Sequence, residues 1–458
     1  MQSGYSDSLS PAELRASGAL ASIYAVRMLG LFMILPVFAL YAEGLAHVTP
    51  FLVGLAIGIY GLTQALLQIP LGVLSDRVGR KPVMVAGLLV FAAGSVLAAV
   101  SDSIYGVIAG RALQGAGAIA AVVLALAADL TREEHRTKVM AIIGLTIGVS
   151  FSVALVAGPV LDRWVGVSGI FWLTALLAIV AIGITLLLIP TPVTARVHRD
   201  AQAVPGSFGD VLRDPQLLRL DAGIFVLHMV LTANFVVLPL LLRDSLGLDS
   251  AQHWWIYLPV LLAGFFAMVP FIIYAEKHRR MKPVFVGAIA VLGVAQLALA
   301  GNGGSMVWLV VALFVFFAAF NLLEASLPSL IAKMAPPDRK GTAMGVYSST
   351  QFLGIFVGGA VGGLLHARYG VQGVFLLGAL GTLIWLGLAM SMRRPRYLSS
   401  YVLNVGTLAE KEAESLAMKL TAVRGVAEAV VIGEEGMAYL KVERHALDEA
   451  ALRRFAVA

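Results

Sequence analysis

Gly72-Val73-Leu74-Ser75-Asp76-Arg77-Val78-Gly79-Arg80-Lys81 is a short charged turn set between two long apolar runs, 51–71 before it and 82–100 after it. Charge between hydrocarbon-length segments is costly, so a turn with one carboxylate and three cations belongs at a membrane surface, where it can be solvated or paired. The two glycines and Pro82, just after Lys81, make it tight. A plain basic loop would supply the cations alone. It would not supply Gly72, Asp76 and Gly79 in register.

Composition agrees with a membrane setting. Of 458 residues 59% are hydrophobic and 13% charged, with a mean hydropathy of +0.88, far more apolar surface than a soluble domain needs. The net charge is +6 and the isoelectric point about 9.5. In a membrane protein that excess marks loops on one side of the bilayer rather than a nucleic-acid surface. The chain has no cysteine, which excludes a disulfide framework, a thiolate metal site and a cysteine nucleophile.

Runs long enough to cross the membrane lie near 19–41, 51–72, 82–100, 105–128, 139–161, 169–190, 219–242, 254–275, 284–301, 306–332, 342–365 and 371–392. Each has the length of about 20 residues that a bilayer core requires. The connectors alternate in charge. One set carries Arg77, Arg80, Lys81, Arg132, Arg136, Lys277, Arg279, Arg280, Arg339 and Lys340; the other holds little beyond Arg163, Arg243 and Arg368. The positive-inside bias places the first set, and with it both termini, in the cytoplasm.

The expected fold class is therefore an all-α polytopic membrane protein of twelve transmembrane helices in two pseudo-symmetric six-helix halves, followed by a small α+β domain. Expected boundaries are a cytoplasmic N-terminal segment 1–18, a first half 19–190, a cytoplasmic linker 191–218, a second half 219–392, a short linker 393–400 and a cytoplasmic domain 401–458. Within the longer linker, 207–213 is expected to form a short interfacial helix. Internal repetition supports the halves: the stretch from Pro270 to Arg280 sets Glu276, Lys277 and Arg280 in register with Asp76, Arg77 and Arg80 in the stretch from Pro70.

The charged turn resembles the loop signature G-x-L-x-D-R-x-G-R-K of the major facilitator superfamily, between its second and third helices. Two further stretches resemble its drug:proton antiporter branch. The run from Val107 to Ala118, with Arg111 and Gln114, is similar to the fourth-helix signature. Leu29-Gly30 with Pro36 is similar to the first-helix signature, without its final proline. In the fifth span Ala157-Gly158-Pro159 begins the G-P-x-x-G-G pattern, but Leu161-Asp162-Arg163 departs from its glycine pair, which weakens an export assignment. A finer echo, Gly58-Ile59-Tyr60 against Gly345-Val346-Tyr347, fits the nested three-helix repeats of this superfamily.

Polar residues inside the spans mark a candidate cavity. Tyr60, Gln64 and Gln68 recur at i, i+4 and i+8 on one face of the second span, and Tyr347 and Gln351 repeat the pattern on the eleventh. Interhelical hydrogen bonding and substrate contact explain these side chains equally well. Arg27 and Asn321 complete the candidate cavity set. Arg111 faces either a wet cavity or a partner, or else snorkels to the outer interface. Glu324 and His228 are embedded titratable groups, and groups of both kinds can be tuned by burial into a range where protons exchange. Glu324 is the first candidate for proton coupling, with His228 secondary and Arg111 acting electrostatically.

After Arg396 the composition changes. A strand over 401–405, a helix over 409–423, a strand over 426–432, a turn at Glu434-Glu435-Gly436, a strand over 437–442 and a helix over 447–455 give the order βαββα, a ferredoxin-like pattern. It resembles heavy-metal-associated domains. Where those carry C-x-x-C, this chain has Thr407 to Glu412, so no thiolate site is available.

A bacterial inner-membrane member of the superfamily with such a tail is the implied comparison. The resemblance implies a multi-pass inner-membrane protein with no nucleic-acid partner, and a monomer that handles a small-molecule substrate and protons within membrane lipid. It needs no cofactor beyond the proton gradient and is not an enzyme. It further implies a conformational switch of Gly72, Asp76, Arg77, Gly79, Arg80, Lys81 and Asp129, with Arg80 linked to Asp129 and Asp76 facing the amino end of the eleventh helix. The expected activity is proton-coupled export of small organic compounds or drugs by antiport. Two alternatives stand: proton symport for uptake, and a non-transporting sensor or scaffold whose tail takes a cytoplasmic partner or ligand. No nucleotide-binding glycine loop or H-E-x-x-H motif points to an enzyme.

Overall fold

The computed structural model describes residues 9–191, 202–301, 304–394, 398–443 and 446–457. Parts of the expected N-terminal segment and of both linkers lie outside the described residues. The helices are α1 (Pro11–Phe32), α2 (Phe38–Ala42), α3 (Pro50–Val78), α4 (Arg80–Ala99), α5 (Ile104–Ala116), α6 (Ala120–Asp129), α7 (Glu133–Leu187), α8 (Phe208–Val211), α9 (Pro215–Leu246), α10 (Trp254–Lys277), α11 (Met281–Ala300), α12 (Met306–Met334) and α13 (Lys340–Met390). Among the described residues nine stretches are long and apolar enough to cross a membrane. Large side chains such as Trp164, Leu187 and Phe266 point outward, as a lipid-facing surface requires.

Helix ends depart from the sequence expectation where local chemistry outweighs hydropathy. Helix α1 begins at Pro11 because Ser10 and Glu13 form a capping box, with Ser10 Oγ accepting from the Glu13 N–H at 3.2 Å and Glu13 returning the bond at 2.8 Å. Two expected pairs of spans run on as single helices, α7 and α13. Each is broken at a glycine with positive φ, Gly166 at 68° and Gly370 at 65°. A side chain there would be strained, so glycine sets both corners. The expected fourth span is likewise divided, into α5 and α6 around Gly117.

The segments expected as the two halves meet along α3 and α13. Gly54 faces Gly359 and Gly363, Gly58 faces Phe356, and Gly61 faces Phe352, each so close that an added methyl would enter the opposing backbone. Small residues let the two helix backbones touch, which is how helices gain contact where lipid offers no hydrophobic drive. Within the second half, Gly354 abuts Phe225, Gly358 abuts Met229 and Gly362 abuts Ala233, so α9 and α13 run parallel in register.

The tail contains β1 (Ser399–Asn404), α14 (Glu410–Thr421), β2 (Val426–Ile432), β3 (Met437–Val442) and α15 (Glu449–Arg453). Its sheet has the order β1-β3-β2, with β3 antiparallel to both neighbours. Leu403, Leu420, Leu440 and Leu452 close a separate core over it.

Lys441 of β3 joins the tail to the membrane part. Its ammonium donates to the carbonyls of Ala332 (2.7 Å) and Lys333 (3.3 Å) at the carboxyl end of α12, and it is 2% exposed. A cation there meets the negative end of the helix dipole. Burial, and secondarily Lys340, pushes the ammonium down from 10.5 to about 8. Lys441→Ala is expected to weaken docking by about 1.5–3 kcal/mol, tenfold or more, read as faster proteolytic release of the tail; an unchanged rate contradicts it. In the wild type the docked lysine has the lower pKa, so docking strengthens as pH rises from about 8 to 10.5 and is flat below that.

Candidate functional site: a titratable cleft between two halves

At the charged turn α3 ends and α4 begins about Gly79, whose φ of 104° suits glycine. The turn brings Arg80, 1% exposed, between two carboxylates. Arg80 Nη1 pairs with Asp76 and donates to Ser75 Oγ at 2.7 Å, while its Nε donates to Asp129 Oδ2 at 3.0 Å. Gly72 lies against Ala121 of α6, the helix that ends at Asp129. Arg77 is exposed and Lys81 half-buried. The first turn of α13 is met by the linker, with the Val204 N–H donating to Thr342 Oγ1 at 2.9 Å.

The polar stripe of α3 divides into two environments. Arg27 of α1 donates to Tyr60 Oη at 3.0 Å and to Gln64 Oε1 at 2.8 Å, entirely within the first half. Gln68 instead reaches across the interface, donating to Ser349 Oγ at 2.7 Å. Arg111 is fully buried. It donates to Gln114 Oε1 at 2.7 Å and to the Ala56 carbonyl at 3.4 Å, and its guanidinium lies over the Tyr60 ring at 5.0 Å. That arrangement removes the snorkelling alternative. Both arginines meet neutral acceptors and aromatic faces, Arg27 also Phe91 at 5.5 Å, while Arg27 Nε and Nη1 and Arg111 Nη2 have no hydrogen-bond partner among the described residues.

Opposite them, the second half gathers its titratable groups. His228 Nε2 on α9 is 2.8 Å from Gln351 Nε2 on α13 and 3.8 Å from Glu324 Oε2 on α12. The Glu324 side chain keeps 31% of its surface accessible although it lies well inside its helix, and it stands beside His228, whose ring lines the cleft. Asn321 is half-buried one turn earlier. Tyr347 is buried and in electrostatic reach of Glu324. The cleft is lined by Tyr24, Met28 and Phe32 of α1, Ile147 of α7, His228, Gln351 and Phe352. A run of aromatic contacts, Phe32 to Phe151 (5.0 Å) and Phe151 to Phe320 (6.1 Å), carries it from one half to the other.

Two contacts at the far end of the helices also join the halves. Arg243 Nη1 donates to Glu43 Oε2 at 2.5 Å, and Ser250 Oγ donates to Asp162 Oδ2 at 3.1 Å. Sequence reasoning did not find them, because isolated charges in short connectors carry no spacing signal. It also missed Asp221, a carboxylate six residues into α9 that lies at the edge of the hydropathy window.

Breaking a buried pair costs up to about 3–5 kcal/mol, less here because Asp76 stays with Arg80, whereas an exposed pair is worth about 0.2–1 kcal/mol. Asp129→Asn is therefore expected to lower the thermal unfolding midpoint of the detergent-solubilised protein clearly, and Glu43→Gln barely. Equal shifts would show that Arg80 is not held by Asp129.

The chain matches the Major Facilitator Superfamily over residues 20–359 and 220–419. It is 48% identical over 437 residues to the inner membrane transport protein YajR of Escherichia coli strain K12, covering 95% of each chain. It is 25% identical to the multidrug resistance protein MdtH of Aeromonas salmonicida strain A449, over 76% of this chain and 86% of that one. In fold it is similar to a bacterial homologue of the human lysosomal transporter Spinster, solved inward-facing and occupied, with a TM-score of 0.70, 13% identity and coverage of 84% and 97%.

Proposed function

The chain belongs to the Major Facilitator Superfamily, a family of membrane transporters rather than enzymes, and on that premise we propose that it is a proton-coupled antiporter exporting small organic compounds by alternating access. It crosses the membrane twelve times in two six-helix halves, with both termini in the cytoplasm. The breaks at Gly166 and Gly370 support two crossings in each of α7 and α13, α1 with α2 supplies the first, and α5 with α6 the fourth. The tail is a ferredoxin-like module, its β1-β3-β2 order being that of a split βαβ unit with one edge strand fewer.

The observation that carries the coupling reading is the position of Glu324 beside His228, whose ring lines the cleft. An antiporter needs a group that takes a proton in one facing state and gives it up in the other. Among the described residues Glu324 has no cation to hold it charged; its neighbour His228 carries charge only when protonated. Similarity to the multidrug resistance protein MdtH supports export. The apolar, aromatic lining beside one imidazole and one amide suits lipophilic organic compounds with few polar groups.

Glu324→Gln is expected to retain counterflow of a fluorescent lipophilic dye in proteoliposomes while losing flux driven by an imposed pH gradient. Full gradient-driven flux in that variant would pass the role to His228. The direction of gradient-driven flux in the wild type separates antiport from symport.

The charged turn is the conformational switch in this reading. Asp76 helps to hold Arg80 at the junction of α3 and α4, so Asp76→Asn should shift the distances between cytoplasmic ends of the two halves toward the inward-open population. An unchanged distance distribution between paired spin labels would remove Asp76 from the switch.

A further inference from the structure

Asp221 is a buried acid that the coupling reading leaves unused. It is 4% exposed, and neither carboxylate oxygen has a hydrogen-bond partner among the described residues. Other buried acids of the chain are held: Glu13 by Arg132, with oxygen–nitrogen distances of 2.9 and 3.0 Å, and Asp129 by Arg80. An unpaired carboxylate inside a span is costly when charged and marks an ion or proton path when it is retained.

Its surroundings define where it stands on such a path. Phe225 meets Gly354 and Met229 meets Gly358, so one step back along the register sets Asp221 at the level of Thr350, beside the turn that carries Tyr347. Tyr347 is in electrostatic reach of both Asp221 and Glu324. One turn further, Gln351 contacts His228, which faces Glu324. Asp221 precedes His228 by two helical turns, about 10 Å along the axis. Helix α9 begins at Pro215, directly after the linker, so Asp221 lies between that end of the helix and Glu324. The titratable group next to it in the register is Tyr347 on α13; two turns on along its own helix comes His228, beside which Glu324 of α12 lies. Arg219 is engaged elsewhere, donating to Ser391 Oγ at 2.9 Å and the Pro215 carbonyl at 3.0 Å.

We propose that Asp221 is a second proton-binding site, the station through which Glu324 exchanges protons with the cytoplasm by way of Tyr347 or water beside it. The step is balanced: an O–H bond breaks at the Glu324 carboxyl and one forms at the Asp221 carboxylate, and the negative charge moves to Glu324. Asp221 then releases the proton to water when the cytoplasmic side opens. The inference rests on Glu324 being the coupling acid, and its test separates the two.

Infrared difference spectra of the full-length protein in proteoliposomes read carboxyl protonation without a substrate, with protons and deuterons as the probes. Asp221→Asn is expected to remove one titrating carboxylic C=O band and to slow deuterium exchange of the band lost in Glu324→Gln by about tenfold, the equivalent of about 1.36 kcal/mol of barrier. Asp221→Glu, which keeps the carboxyl, should restore exchange with a displaced band, and it carries the test if the Asn variant does not fold. Asp221→Asn with all bands intact, or with unchanged exchange at Glu324, overturns the proposal. A Glu324→Gln spectrum that loses no titrating band overturns the Glu324 reading instead, and with it the relay, whatever Asp221 does.

Discussion

A charge buried at membrane depth must be neutralised, hydrated or able to disappear, and the two halves of this protein meet that demand differently. The first half holds Arg27 and Arg111, cations that cannot shed their protons at any ordinary pH. It surrounds them with Tyr60, Gln64, Gln114, a main-chain carbonyl and aromatic faces, and no carboxylate pairs with either among the described residues. The second half holds Asp221, His228 and Glu324, all of which can change charge. Fixed positive charge therefore stands opposite variable charge. In a low-dielectric interior such fields reach across several ångströms, so any motion that brings the halves together or admits water changes the balance of protonation in the second half.

That division was only partly legible in the sequence. The charged turn stood out because three cations and an acid interrupt hydrocarbon-length runs, and its partner Asp129 ends an apolar helix in the same way. The stripe of Tyr60, Gln64 and Gln68 was visible from helical spacing, since period alone puts the three on one face. Spacing could not say that the face is shared between two neighbours: Tyr60 and Gln64 turn to Arg27, and Gln68 to Ser349 across the interface. Glu324 and His228 were each recognisable as polar groups in apolar surroundings, but their 3.8 Å approach joins two helices and is a product of packing.

Asp221 was lost for a physical reason. Its near neighbour Arg219 and the preceding linker make that part of the sequence read as an interface, where charge needs no explanation. The helix in fact starts at Pro215 under an Asp214 cap, whose carboxylate accepts from the Gln216 N–H at 2.7 Å, and this carries Asp221 inside. The glycine corners at Gly166 and Gly370 were hidden in the opposite way. Both spans that meet at each corner are apolar, and a single glycine with positive φ suffices where a polar loop was expected.

The tail and the cleft share one helix. Lys441 grips the final carbonyls of α12 at Ala332 and Lys333, and Glu324 lies eight residues earlier on the same helix, about 12 Å away along its axis. Helix α12 has Pro328 between the two points, where a missing N–H leaves one turn without its regular bond. A helix weakened there can tilt on one side of the proline without unwinding on the other. A tail docked at its end restrains that tilt, and the restraint acts on the segment next to the acid that stands beside His228. The contact that looks most remote from the titratable groups is thus tied to them by little more than two turns of helix.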